Sequence, residues 1–181
     1  MADSKAISPG LVFVALLGLI VGTVFWATQA PAWPSLLLFT NLFALALYDW
    51  YSFRLPNLMT ATYFLSGILV LWADPPLAAT DHIIGAVVGL LLFPAINLLY
   101  KQLRGRDGIG LGDAKLLAGT GLWLGWQALP PVLLLASLGG LVFAALSMLA
   151  RRDITRETKL PFGPFLCFGT WLWWLWLWLP L

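Results

Sequence analysis

The chain has 181 residues, 61% of them hydrophobic and only 10% charged, with a formal net charge of +2. An ordinary soluble domain carries about 25% charged residues, so a water-soluble globule is excluded and no nucleic-acid partner is expected. An outer-membrane barrel would alternate apolar and polar residues over segments of about ten residues, and no such alternation appears.

Proline, glycine and charge clusters divide the chain into seven apolar spans, near 10–28, 35–52, 58–73, 83–100, 112–127, 131–150 and 163–180. The first reads as a retained helix. Its run over 11–28 is longer than the roughly 7–15 residues of a signal-peptide core, only Lys5 precedes it, and Ala27-Thr28-Gln29-Ala30 is a weak cleavage site. The second span closes on Tyr48-Asp49-Trp50-Tyr51-Ser52-Phe53-Arg54-Leu55-Pro56-Asn57. Here the aromatics suit a membrane interface, Arg54 can offset the acid, and Pro56 is expected to stop the helix.

The third and fifth spans are short. About sixteen residues at 1.5 Å each cover roughly 24 Å, against about 30 Å of hydrocarbon. Local thinning or burial within protein can absorb that mismatch, and a recessed fifth span would place Asp113 in a water-filled notch. His82 opens the fourth span with no companion at metal-ligand spacing, and the single Cys167 in the seventh excludes an internal disulfide. Both read as packing residues. Trp171, Trp173, Trp174, Trp176 and Trp178 read as lipid-facing anchors. With no internal repeat and no long linker, residues 1–181 read as one domain. The expected fold class is an all-α, polytopic membrane bundle of about seven transmembrane helices.

Seven spans put the N-terminus and the loops after the second, fourth and sixth on one side. Those segments hold Lys5, Arg54, Lys101, Arg104, Arg106, Lys115, Arg151, Arg152, Arg156 and Lys159, which is all ten Lys and Arg residues. The positive-inside rule makes that side cytoplasmic. A multi-pass protein of the cell inner (cytoplasmic) membrane, N-terminus inside, is therefore expected. Asp49 and Asp113 then lie at similar depth on the same face.

A carboxylate at a membrane boundary is costly and is a functional-site hypothesis by default. Asp113 follows Gly108-Ile109-Gly110-Leu111-Gly112 and precedes Ala114-Lys115. Glycines at alternate positions permit positive φ and a close backbone approach. A phosphate loop would need a Gly-Lys-Ser/Thr ending, and Asp113 would instead repel the phosphate. The plainer reading makes Asp113 the cap of the fifth helix.

Together, the Asp-x4-Arg-x-Pro-Asn and Gly-x-Gly-Asp-x-Lys elements resemble the type IV prepilin peptidase family, intramembrane aspartic proteases of the GxGD class. The likeness extends over Gly105 to Ala118, Trp123-Leu124-Gly125-Trp126 and Leu160-Pro161-Phe162-Gly163-Pro164-Phe165-Leu166. It covers roughly 40–180. The resemblance implies that Asp49 and Asp113 are the catalytic pair and that type IV prepilins or pseudopilins are the substrates. Gly110, Gly112, Lys115, Arg54, Pro56 and Asn57 would then bind substrate or shape the loops. Two close carboxylates share a proton. The ionised one can activate a water while the protonated one donates to the scissile carbonyl. Lys115 is expected to anchor phospholipid or brace its loop, Arg54 to hold the interface, and 161–164 to shape the entrance to the last helix.

Many members of that family carry two Cys-x-x-Cys pairs that bind zinc, in a segment that accompanies methylation with S-adenosylmethionine. Those cysteines are absent here, so cleavage without methyl transfer, and no metal or cofactor, is expected. The alternative is a proton-coupled transporter using the same carboxylates. That reading expects polar groups at mid-bilayer depth in repeated halves. The acids instead cluster at one boundary, and Asn41 and Asn97 read as interhelical hydrogen-bonding residues. A membrane scaffold explains neither motif.

Overall fold

The computed structural model describes residues 30–74, 79–105, 110–149 and 161–179. Among these, six α-helices and no strand occur: α1 (Ala32–Ser52), α2 (Asn57–Ala73), α3 (Ala79–Arg104), α4 (Leu111–Leu124), α5 (Leu129–Leu149) and α6 (Gly163–Leu177), with a 3-10 turn at Trp126–Ala128. Each corresponds to one expected span. The span near 10–28, the Gly108 turn and the basic stretch 151–159 lie outside the described residues. Two segments, Ala79–Leu103 and Trp126–Ser147, are long and apolar enough to cross a membrane, and Asn57–Ala73 is apolar but shorter.

The helix ends depart from expectation for identifiable reasons. Pro56 does not stop α1. Phe53 does, turning into the left-handed region at φ 53° while its N–H donates to the Asp49 carbonyl at 2.8 Å. Pro56 (φ −64°, ψ 139°) is instead the extended residue that opens α2. The fifth span ends at Leu124 because Gly125 adopts φ 82°, a conformation an L side chain rarely takes. Asp81 then accepts from Trp126 Nε1 (3.3 Å) and Gln127 Nε2 (2.8 Å), and His82 Nδ1 pairs with the Leu122 carbonyl at 2.8 Å. These contacts fasten the start of α3 to the end of α4.

The helices run up and down. The ends of α1, α3 and α5 share one end of the bundle with the starts of α2, α4 and α6. Arg54, Lys101 and Lys115 all lie there, which makes it the basic end among the described residues.

At the centre stands α4, which packs on α2, α3, α5 and α6. It is buried at every position from Leu116 to Leu124. Its 14 residues reach only about 21 Å at 1.5 Å each, and its neighbours rather than lipid accommodate that shortness. The most extensive helix pair is α3 with α4, and glycine is the cause. A Cβ on Gly121 would fall on the Gly85 carbonyl, and one on Gly89 would lie 2.5 Å from the Leu117 oxygen. Close backbone approach through small residues is how helices associate where lipid is as apolar as they are. On its outer face α3 exposes Ile83, Ile84, Val87, Leu91 and Leu98.

Two further expectations are corrected. Trp171 and Trp174 are buried in the core, while Trp176 and Trp178 are exposed. Helical periodicity puts the first two on the inward stripe with Cys167 and Thr170, and Trp174 Nε1 donates to Ser35 Oγ at 2.9 Å. The Asn41 amide bonds the Leu37 carbonyl of its own helix at 2.8 Å, and among the described residues it bridges to no other helix.

Candidate active site

Asp49 occupies the last turn of α1, on the stripe Ser35, Leu38, Leu42, Leu45 and Asp49 that faces the core. Asp49 is only 6% exposed. The Gly163 backbone N–H donates to Asp49 Oδ2 at 3.1 Å. Gly163 is the first residue of α6, where backbone N–H groups lack intrahelical partners and carry partial positive charge. An ideal Cβ there would sit 2.5 Å from Oδ2, so only glycine lets the backbone come this close. Arg54, expected to offset the acid, is exposed.

Asp113 is the third residue of α4 and is half-buried. The capping expectation is corrected: Gly110 is the residue before the helix, and no side chain caps it. Asp113 lies within electrostatic reach of Asp49, and the buried Cys167 thiol within reach of both. Cys167 is one turn along α6 from Gly163, so the residue read from sequence as packing is a buried neighbour of the two acids.

The two motif segments also meet directly. Lys115 Nζ donates to Asn57 Oδ1 at 2.6 Å, and a Cβ on Gly112 would come within 3.2 Å of Leu55 Cβ. Lys115 thus ties the start of α4 to the start of α2. Gly110 is exposed and extended (φ −74°, ψ 141°), a backbone any residue can adopt. Pro56 is half-buried between the segments. Lys115 and Asn57 also form the polar mouth of an apolar groove of about 500 Å³ between α2, α3 and α4.

Seven residues beyond Asp113 and Gly163 respectively, Thr120 and Thr170 hydrogen-bond at 3.0 Å, fully buried. Tyr63 Oη lies 3.4 Å from the Thr120 hydroxyl, and Trp123 Nε1 donates to the Tyr63 carbonyl at 3.2 Å. Thr120 and Thr170 stand out only once the helices are assembled, since in the sequence nothing marks them; Gly163 lies within the 160–166 likeness, but its contact with Asp49 is visible only in the fold. Among the described residues no group of His, Cys, Asp and Glu side chains is arranged to hold a metal ion.

A helical bundle that gathers the two acid-bearing motifs at its basic end fits a leader-peptidase architecture. The chain belongs to the type IV leader peptidase family, whose model matches residues 36–145. It is 37% identical over 170 residues to the prepilin leader peptidase/N-methyltransferase of Aeromonas salmonicida (strain A449), covering 92% of this chain and 58% of that protein. The Burkholderia pseudomallei (strain 1026b) protein of the same name is 43% identical over 131 residues, 71% of this chain and 41% of the relative. That of Pectobacterium carotovorum subsp. carotovorum is 32% identical over 156 residues, 86% and 56%. The chain thus spans about half the length of these curated relatives. No solved structure matches it.

Proposed function

We propose that the chain is an aspartic endopeptidase that removes the basic leader from type IV prepilins or pseudopilins at the cytoplasmic membrane boundary. One observation carries this reading: the buried Asp49 carboxylate, held by Gly163, lies within electrostatic reach of Asp113 at the basic end of the bundle. Both acids fall inside the family match. Two neighbouring carboxylates cannot both be ionised cheaply, so the pair holds one proton. The ionised member takes a proton from water, and the resulting hydroxide attacks the scissile carbonyl carbon. The protonated member donates to the carbonyl oxygen. Collapse of the tetrahedral adduct breaks the C–N bond, and a dyad proton passes to the leaving amine.

In this reading the protein makes about seven passes through the inner membrane as one domain, with its N-terminus and basic end cytoplasmic, supported by the charge partition. Membrane lipid fills the apolar groove between α2, α3 and α4. The reaction stops at cleavage, a reading supported by the single cysteine of the chain.

The test is a processing assay in membranes with a prepilin substrate, comparing the parent with Asp49→Asn and Asp113→Asn. Asparagine at 49 keeps an oxygen for the Gly163 N–H, so the fold is expected to survive while cleavage is lost in each variant. Full activity in either folded variant would refute the dyad. Proton flux without cleavage would establish the transporter instead, and methyl transfer to processed pilin would overturn the restriction to cleavage.

A further inference from the structure

We propose that α6, which bears no charged residue, is the positioning element of the aspartate pair: Gly163 fixes Asp49, and Thr170 fixes the helix that carries Asp113. The inference rests on the dyad reading and adds the residues that set its geometry.

The start of α6 accounts for its backbone donors without remainder. Phe165 and Leu166 N–H both bond the Phe162 carbonyl at 3.1 Å, and Pro164 has no N–H to satisfy. Gly163 is left, and its N–H goes to Asp49 Oδ2. Asp49 therefore serves α6 as a cap supplied by another helix, with one carboxylate oxygen committed and the other left for chemistry. At the opposite end of the same helix pair, Trp174 Nε1 donates to Ser35 Oγ at 2.9 Å. With α6 tied to α1 at both ends, neither helix can slide along the other without breaking a buried hydrogen bond.

The third tie reaches α4. Thr170 is seven residues from Gly163, and Thr120 is seven from Asp113. Seven residues are about two turns, some 10 Å on the same helix face. The Thr120–Thr170 bridge at 3.0 Å therefore sets α4 and α6 in axial register, so that Asp113 comes level with Gly163 and hence with Asp49. Each hydroxyl also bonds its own helix, Thr120 to the Leu116 carbonyl at 3.2 Å and Thr170 to the Leu166 carbonyl at 2.8 Å. The bridge is thus anchored to backbone on both sides. The level of the two acids follows from a third helix that never contributes a reacting atom.

The experiment measures kcat and KM for prepilin cleavage by the full chain in nanodiscs, alongside thermal unfolding. The variants are Gly163→Ala, Thr170→Val and Thr170→Ser, with Asp49→Asn and Asp113→Asn as controls. Displacing catalytic groups by about 1 Å can cost about 100-fold in rate, and Gly163→Ala is expected to lose that much in kcat. Thr170→Val, nearly isosteric, loses about tenfold, the worth of one hydrogen bond of about 1.4 kcal/mol. KM stays unchanged in both, since neither residue docks substrate, and Thr170→Ser, which keeps the hydroxyl, restores most of the rate. Should Gly163→Ala fail to fold, the Thr170 pair decides alone. Parent-like kcat in folded Thr170→Val, or a loss that Thr170→Ser leaves in place or that falls on KM, overturns the positioning role. Cleavage retained by either aspartate control would instead overturn the dyad itself.

Discussion

Replacing Gly89 with alanine should open the bundle at its tightest seam. The added Cβ would lie 2.5 Å from the Leu117 carbonyl oxygen, whereas ordinary contact begins at 3.4 Å. Both partners are helix backbone, so no rotamer relieves the clash and α3 and α4 must part by roughly 0.9 Å. A gap of about 0.5–1 Å forfeits a quarter to a half of each dispersion contact, and overpacking of this kind costs about 1–3 kcal/mol. Alanine repays about 1 kcal/mol through helix propensity. Taking the upper value, because this helix pair is the most extensive in the bundle, the net loss is about 2 kcal/mol. Gly140→Ala supplies the contrast. There the nearest atom is a Phe165 ring carbon at 3.6 Å, an ordinary contact, so the propensity gain of about 1 kcal/mol stands alone. The same substitution is thus expected to destabilise at 89 and stabilise at 140, separated by about 3 kcal/mol. Reversible unfolding in mixed detergent, followed by tryptophan fluorescence, measures both. If Gly89→Ala proves as stable as Gly140→Ala, the backbone contact between α3 and α4 is not what holds them.

Three further experiments probe the elements around the site. Phe53→Gly removes a side chain from a left-handed backbone position that is half exposed, and it should stabilise the end of α1 by about 1 kcal/mol in the same unfolding assay. Trp174→Phe leaves Ser35 still donating to the Pro31 carbonyl at 2.7 Å; it should cost about 1 kcal/mol, and a cycle with Ser35→Ala should recover that value as coupling. Asn57→Ala with Lys115→Met forms a second cycle. Both residues are exposed, so their coupling should stay below about 1 kcal/mol, and a value above twice that would show the pair to be shielded from water.

What was legible in the sequence was whatever leaves a periodic or a charged trace. Apolar runs gave six of the spans to within a few residues, because burial against lipid or protein demands nearly the same side chains. The bias of Lys and Arg anticipated that Arg54, Lys101 and Lys115 share one end, because such residues collect on one side of a membrane. Where a helix stops is a local matter, and here the readings erred. Pro56 is a strong breaker, yet α1 had already turned at Phe53, a residue with no turn signal of its own. The tryptophan run failed for a related reason. Composition alone makes Trp171 and Trp174 resemble Trp176 and Trp178, and only the inward stripe of α6 separates them.

The site divides along the same line. Asp49 and Asp113 could be singled out because an acid in apolar surroundings needs a reason to be there. Gly163 could be placed in a motif but not given its partner, since its value lies in the side chain it lacks and Asp49 is 114 residues away. Thr120 and Thr170 are silent, because a hydroxyl can bond its own helix and so needs no second partner to be tolerated in an apolar span. Motif reading therefore finds groups whose burial is expensive and misses groups that cost little and hold the expensive ones in place. Here both kinds meet at a single hydrogen bond. The first N–H of α6 needs an acceptor, and Asp49 needs a donor to be tolerated at 6% exposure. Either group alone would be buried at a loss, about 1–3 kcal/mol for the N–H and more for an ionised carboxylate. Each offsets the cost of the other, which is how an acid can be kept inside the bundle with only one of its oxygens committed to that bond.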